Sequence, residues 1–249
     1  RREPQDWDYL DDKLLGKDLN KVTIRAYLSE ETNYNEKIAL LKEKLKTVSE
    51  YFNIGDGGIQ ISEIFEKDWA NNWKKYYKPI KLGNSVVIKP SWEDYQPESE
   101  SEVIVQMDPG MAFGTGTHET TQMCIQLLEK YVTKESKILD LGCGSGILGI
   151  TALKLGAKFC EAVDIDENAV KITKENAFLN AVGDKIVVKH GDLLSVVNGK
   201  YDIIVANIIA DVILSLAETV KPYLKERGLF IASGIIKDRC AEVKSKLIE

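Results

Sequence analysis

Residues 138–146, Ile-Leu-Asp-Leu-Gly-Cys-Gly-Ser-Gly, constrain the fold of this chain more than any other stretch. An apolar run ends in an acid, and three glycines follow at every second position: Gly142, Gly144 and Gly146. The pattern predicts a buried parallel strand that turns sharply into a helix. Glycine belongs there because a side chain would obstruct the backbone angles of the turn or an approaching ligand. Ile147, Leu148, Ile150, Thr151 and Leu153 continue with a helical apolar period. One strand later, Val163-Asp164-Ile165-Asp166 sets an acid about twenty residues beyond the glycines, where a carboxylate can accept both hydroxyls of a ribose.

Glycines alone would also fit a tight turn with no ligand; the later acid argues against that. A dinucleotide fingerprint needs G-x-G-x-x-G, but the position three after Gly144 is Ile147, and the third glycine comes one residue early. No Gly-Lys-Ser or Gly-Lys-Thr occurs, so a phosphate-cradling lysine loop is excluded. The spacing favours a nucleoside without a pyrophosphate.

From residue 136 the alternation of elements is regular. Strands are predicted near 137–141, 160–164, 186–190, 201–206 and 228–233, with helices near 146–155, 167–180 and 211–226. Continuous apolar strands alternating with helices imply an α/β fold with a doubly wound, mostly parallel sheet. Upstream, Val22–Leu28 and Ile59–Phe65 read as strands. They flank an amphipathic helix over 35–52 with Ile38, Leu41, Leu45, Val48 and Phe52 on one face. That predicts a small α+β domain over 1–65. Residues 66–98 form a linker segment in which Trp69, Trp73, Tyr76 and Tyr77 are interleaved with lysines. Aromatics among lysines suit either the sealing of a domain junction or a stacking surface for nucleic acid, and nearby acids such as Asp68 argue for the first. Val86–Ile88 and Val103–Val105 read as two strands leading into a domain over 99–249.

The 249 residues suffice for two domains, and the net charge of −6 with a pI near 5.2 argues against affinity for a phosphate backbone. Four cysteines at irregular spacings and two histidines show no metal-ligand pattern, so reduced thiols and no metal are expected. The longest apolar stretch, 203–214, is interrupted by Asn207 and Asp211 and is too short to span a bilayer. A cytoplasmic monomer without direct nucleic-acid or membrane contact is expected. The chain also reads as trimmed at both ends.

Two more loops flank the glycine turn. Pro109–Thr121 alternates glycine with small and hydroxylated residues, which suits either close approach to a ligand or a mobile loop capping the next helix with Thr117. Asn207-Ile208-Ile209-Ala210 closes the fourth strand, where open α/β sheets bind ligands; an Asx-type turn is the alternative. Asp192, after the strand Ile186–Val188, reads equally as an ordinary cap.

Residues 138–146 with Asp164 resemble the nucleoside-binding signature of class I S-adenosylmethionine-dependent methyltransferases, which are Rossmann-like. By that resemblance Gly142, Gly144 and Gly146 take the methionine and ribose part of the cofactor, Asp164 takes the ribose hydroxyls, Ile165 packs on the adenine, and Asp192 sits near its amine. Phe113–Thr121, Val163–Asp166 and Ala206–Ala210, with Asp68–Pro79 and Ile88–Trp92, are similar to the PrmA family. Members of that family methylate protein number eleven of the large ribosomal subunit. The similarity covers about residues 60–240. It implies a substrate-recognition domain, a linker and a catalytic domain, with Thr121, Gly142, Asp164 and Asn207 contacting the cofactor. Class I enzymes usually close the sheet with two further strands, for which no residues remain here. Asn207 is the expected orienting group for a substrate amine. His118 is either a proton acceptor or a loop-packing residue.

Overall fold

The computed structural model describes residues 34–55, 58–61, 78–108 and 118–248. The expected strand at Val22–Leu28, the aromatic segment 66–77 and most of the loop from Pro109 lie outside them. The chain divides into two compact units, Arg1–Glu63 and Ile64–Glu249.

In the first unit, helix α1 spans Tyr34–Ser49. Ile38 and Leu45 of its expected apolar face are half-buried, whereas Leu41, Val48 and Phe52 are exposed. The strand expected from Ile59 is not formed over its described part, since residues 59–61 have no regular structure. Among the described residues no ladder of backbone hydrogen bonds joins them to a neighbour.

The second unit carries two sheets. The smaller joins β1 (Ile80–Leu82), β2 (Val86–Lys89) and β3 (Val103–Gln106) in the order β1-β2-β3. β1 was not anticipated. The first pair is antiparallel, through a turn at Gly83, and the second is parallel. Leu82, Val86, Ile88, Val105 and Met107 are buried in one cluster with Cys124, Ile125 and Leu128 of helix α2 (Glu119–Tyr131). The stretch expected to be a linker is therefore, over 80–89, part of the core of this unit rather than a tether. Glu129 of α2 fastens it, accepting hydrogen bonds from the backbone N–H groups of Asn84, Ser85 and Val86 and from the Ser85 hydroxyl at 2.7–3.2 Å. Burial opposes the Glu129 charge, but these donors outweigh it and hold the carboxyl below its ordinary range.

The larger sheet contains β4 (Lys137–Leu141), β5 (Phe159–Asp164), β6 (Ile186–His190), β7 (Tyr201–Asn207) and β8 (Leu224–Ser233). All pairs are parallel, in the order β6-β5-β4-β7-β8. Alternate residues feed opposite faces. Ile138, Ile203, Val205 and Ile231 face the cluster shared with α2 and α3 (Ile147–Lys154). Leu139, Leu141, Ile204 and Ala206 face a second cluster with Ile213 and Leu216 of α5 (Ala210–Thr219) and Val243 of α6 (Cys240–Ile248). Helix α4 (Glu167–Leu179) joins the first face through Ala177. Layers on both faces give the doubly wound, Rossmann-like fold. Strand order reverses between β4 and β7, and the crevice outside the carboxyl ends there is where such sheets bind ligands.

Candidate active site

The glycine turn occupies that crevice. Gly142, Gly144 and Gly146 take positive φ values of 70°, 55° and 82°. At Gly142 close approach adds to the conformational demand, because a Cβ there would lie 2.5 Å from Ile208 Cγ2, beyond the end of β7. The turn is held from beneath by β5: the N–H groups of Gly142 and Cys143 donate to the Val163 carbonyl at 2.9 and 3.1 Å. Asp140, at the strand's last turn inward, is 2% exposed, and its Oδ2 accepts from Gly149 N at 2.8 Å in the first turns of α3. Burial pushes its carboxyl up to about 7, against the help of the Gly149 N–H.

Asp164 ends β5 beside the turn. Its Oδ2 accepts from Gly144 N at 2.8 Å and its Oδ1 from Asp166 N at 3.0 Å. Each oxygen keeps a second acceptor site, so the carboxylate is aimed by the backbone and still able to receive two hydroxyls. Ile165 is 70% exposed, and its carbonyl is held 2.9 Å from Nε2 of His190, on the neighbouring strand β6. Gly191 N donates to the Asp164 carbonyl at 2.9 Å, which keeps the loop carrying Asp192 next to the carboxylate. Asp192 is exposed and begins a short 3-10 turn, with its side chain making no capping hydrogen bond.

On the other side of the switch point, Asn207 Nδ2 donates to Thr121 Oγ1 at 3.2 Å. Thr121 is buried in the first turn of α2 and Asn207 is half-buried at the end of β7. Two residues 86 positions apart are thus in direct contact. The cap of α2 is His118, not Thr117. His118 Nδ1 accepts from Thr120 N at 3.3 Å and lies 2.6 Å from the Thr120 hydroxyl.

The sequence reading missed a set of groups on α4. Thr173 Oγ1 donates to the Gly144 carbonyl at 3.0 Å, and Asn176 Nδ2 to the Ser145 carbonyl at 2.9 Å. Asn176 Oδ1 accepts from Asp108 N at 2.9 Å, and Asn180 exchanges hydrogen bonds with both backbone groups of Gln106 at 2.8 and 2.6 Å. A buried polar stripe therefore fastens the glycine turn to the segment that leads into the loop from Pro109. Its signal was present: uncharged polar residues at i, i+3 and i+7 on an otherwise apolar helix face.

A sequence model of ribosomal protein L11 methyltransferase (PrmA) matches residues 2–249. This chain belongs to that family. A curated member from Caldicellulosiruptor saccharolyticus is 51% identical over 250 residues, covering 99% of this chain and 81% of that protein. One from Thermoanaerobacter pseudethanolicus is 51% identical over 248 residues, covering 99% and 80%. The crystal structure of ribosomal protein L11 methylase from Lactobacillus delbrueckii subsp. bulgaricus, 40% identical, superimposes with a TM-score of 0.65 over 69% of this chain and 88% of that one.

Proposed function

We propose that this chain transfers methyl groups from S-adenosylmethionine to amines of ribosomal protein L11, on lysine side chains, the amino terminus or both. The observation that carries the proposal is the convergence, at one crevice, of a left-handed glycine turn, an Asp164 carboxylate bonded to that turn, and the Asn207–Thr121 pair. The residues fit the cofactor. The glycine turn carries no side chains at Gly142, Gly144 and Gly146, Asp164 has acceptor sites for two ribose hydroxyls, and exposed Ile165 offers an apolar surface for adenine. Gly142, Gly144 and Gly146 would line the methionine and ribose part, Asp192 would stand toward the adenine amine, and Thr121 and Asn207 would face the methionine end.

The bound cofactor supplies a methyl group on a sulfonium, a leaving group that needs no further activation. The protein's work is to align a neutral amine and keep water out. A lysine amine titrates near 10.4 in water, and apolar surroundings lower that by disfavouring the charged form. Ile208 and Ile209 follow Asn207 and provide such surroundings, with Ile209 65% exposed at the mouth of the crevice. Because Asn207 Nδ2 is given to Thr121, its Oδ1 is the atom that orients the substrate N–H. His118 serves as the helix cap, and the amine proton leaves to solvent.

A flat acceptor such as a nucleobase or glutamine amide would call for an aromatic platform after Asn207, where this chain has Ile208, Ile209 and Ala210. We further assign substrate recognition to residues 1–65, and propose a monomer that works in the cytoplasm. Among the described residues no helix is long and apolar enough to cross a membrane. Mass spectrometry of ribosomal protein L11 after incubation with this protein and the cofactor tests the proposal, with methylated lysines or amino terminus expected. Cofactor binding without any methyl transfer would identify a cofactor-sensing module instead.

A further inference from the structure

Ser233 is the last residue of β8 and pairs in register with Asn207. It is 8% exposed and bonds to the residue adjoining each member of the Asn207–Thr121 pair. Its carbonyl accepts from Ile208 N at 3.2 Å, which fixes the backbone immediately after Asn207. Its hydroxyl donates to the Thr120 carbonyl at 3.3 Å, in the first turn of α2, and also meets the Cys124 thiol one turn on. Gly234 continues the grip: it has φ +83°, and a Cβ there would lie 2.5 Å from the Ile208 carbonyl oxygen. A carbonyl alone would serve the sheet. The hydroxyl is the part that reaches a different element.

We infer that Ser233 is a positioning residue for the methyl-transfer step: through its hydroxyl it holds the first turn of α2 so that the Thr121 hydroxyl meets Asn207 Nδ2, and thereby sets where Asn207 Oδ1 points. This rests on the assignment of Asn207 made above. Alanine at 233 keeps the backbone contact to Ile208 and removes the hydroxyl's ties to Thr120 and Cys124, both in the first turns of α2. The Asn207 amide then gains rotational freedom, and misalignment of the acceptor is felt in the chemical step more than in binding.

Single-turnover methyl transfer to ribosomal protein L11 by the intact protein tests this. S233A should lower the rate about tenfold, the worth of one hydrogen bond realised at the transition state. The thermal midpoint should stay near wild type, cofactor affinity should fall by less than the rate does, and S233T, which retains the hydroxyl, should recover most of the rate. In an N207A background, S233A should cost nothing further, because its route of action has been removed. A wild-type rate for S233A, or an undiminished drop in the N207A background, overturns the positioning role. A wild-type rate for N207A overturns the assignment of Asn207 itself.

Discussion

At the scale of single residues, two carboxylates on either side of the glycine turn, one in β4 and one at the end of β5, face opposite demands. Asp164 is half-exposed and receives two backbone N–H groups, so it stays available as an acceptor. Asp164→Ala should weaken S-adenosylmethionine binding by on the order of 3 kcal/mol, the worth of two hydrogen bonds to a charged group; unchanged affinity by calorimetry would sink the assignment. Asp140 is enclosed by Gly149 and the Cys160 thiol, with a single N–H to offset its burial. Its folded pKa of about 7 lies above its ordinary 3.8, so the native state binds the proton more tightly than the unfolded chain. Stability from this group is therefore greatest below about pH 4, falls as pH rises toward 7, and is level above. Asp140→Asn retains an acceptor for Gly149 N and cannot ionise. Its urea-unfolding free energy should gain on wild type between pH 5 and pH 8, by roughly 3 kcal/mol at most. A difference that does not change with pH would show that Asp140 is not held in this way.

At the scale of elements, α4 does more than cover the sheet. Thr173 and Asn176 replace apolar contacts with hydrogen bonds to backbone groups that no ladder satisfies: the carbonyls of Gly144 and Ser145 and the N–H of Asp108. Asn180, which caps the helix, holds both backbone groups of Gln106. Buried backbone groups need partners, and an irregular turn supplies none of its own. Asn176→Ala should strand one buried donor and one buried acceptor and cost about 2–3 kcal/mol in chemical denaturation. Lys171→Ala, on the exposed face of the same helix in a 3.9 Å pair with Glu175, should be nearly neutral. Equal effects at the two positions would mean that the stripe does not fasten the turn.

At the scale of the whole molecule, the division into units Arg1–Glu63 and Ile64–Glu249 puts every residue of the crevice on the second. Residues 1–62 contain ten basic and twelve acidic residues, net −2, which suits a protein partner better than RNA. Holding the substrate by one unit raises the local concentration of each of its amines at the other. Deleting residues 1–63 should leave calorimetric S-adenosylmethionine affinity near its intact value while abolishing methylation of ribosomal protein L11. If the shortened protein methylates L11 at the normal rate, the first unit is an appendage rather than the recognition element.

The sequence by itself determined four of the five strands of the larger sheet; the helix expected over 211–226 ends at Thr219, and the strand expected from 228 begins at Leu224, because pairing with β7 extends it. Strand and helix periods are local signals, and the strands expected near 137–141, 160–164 and 186–190 begin and end within one residue of where they lie. It also determined the glycine turn and the acid after it, because a backbone angle and a ligand approach each restrict residue type at a single position. The short strand β1 was not legible: three residues carry no period, and its reason for existing is β2 beside it and Glu129 of α2 above. The polar stripe on α4 looked like ordinary helix, since which carbonyls it meets depends on a turn some thirty residues earlier in the chain. His118 as a cap and the Asn207–Thr121–Ser233 cluster likewise had no local signature. Asn207 meets Thr121, and Ser233 reaches the Thr120 carbonyl beside them, only because parallel strands bring their carboxyl ends to one rim and α2 points its first turn at it. The chemistry was written in residue types, and the tertiary structure alone decided which of them touch.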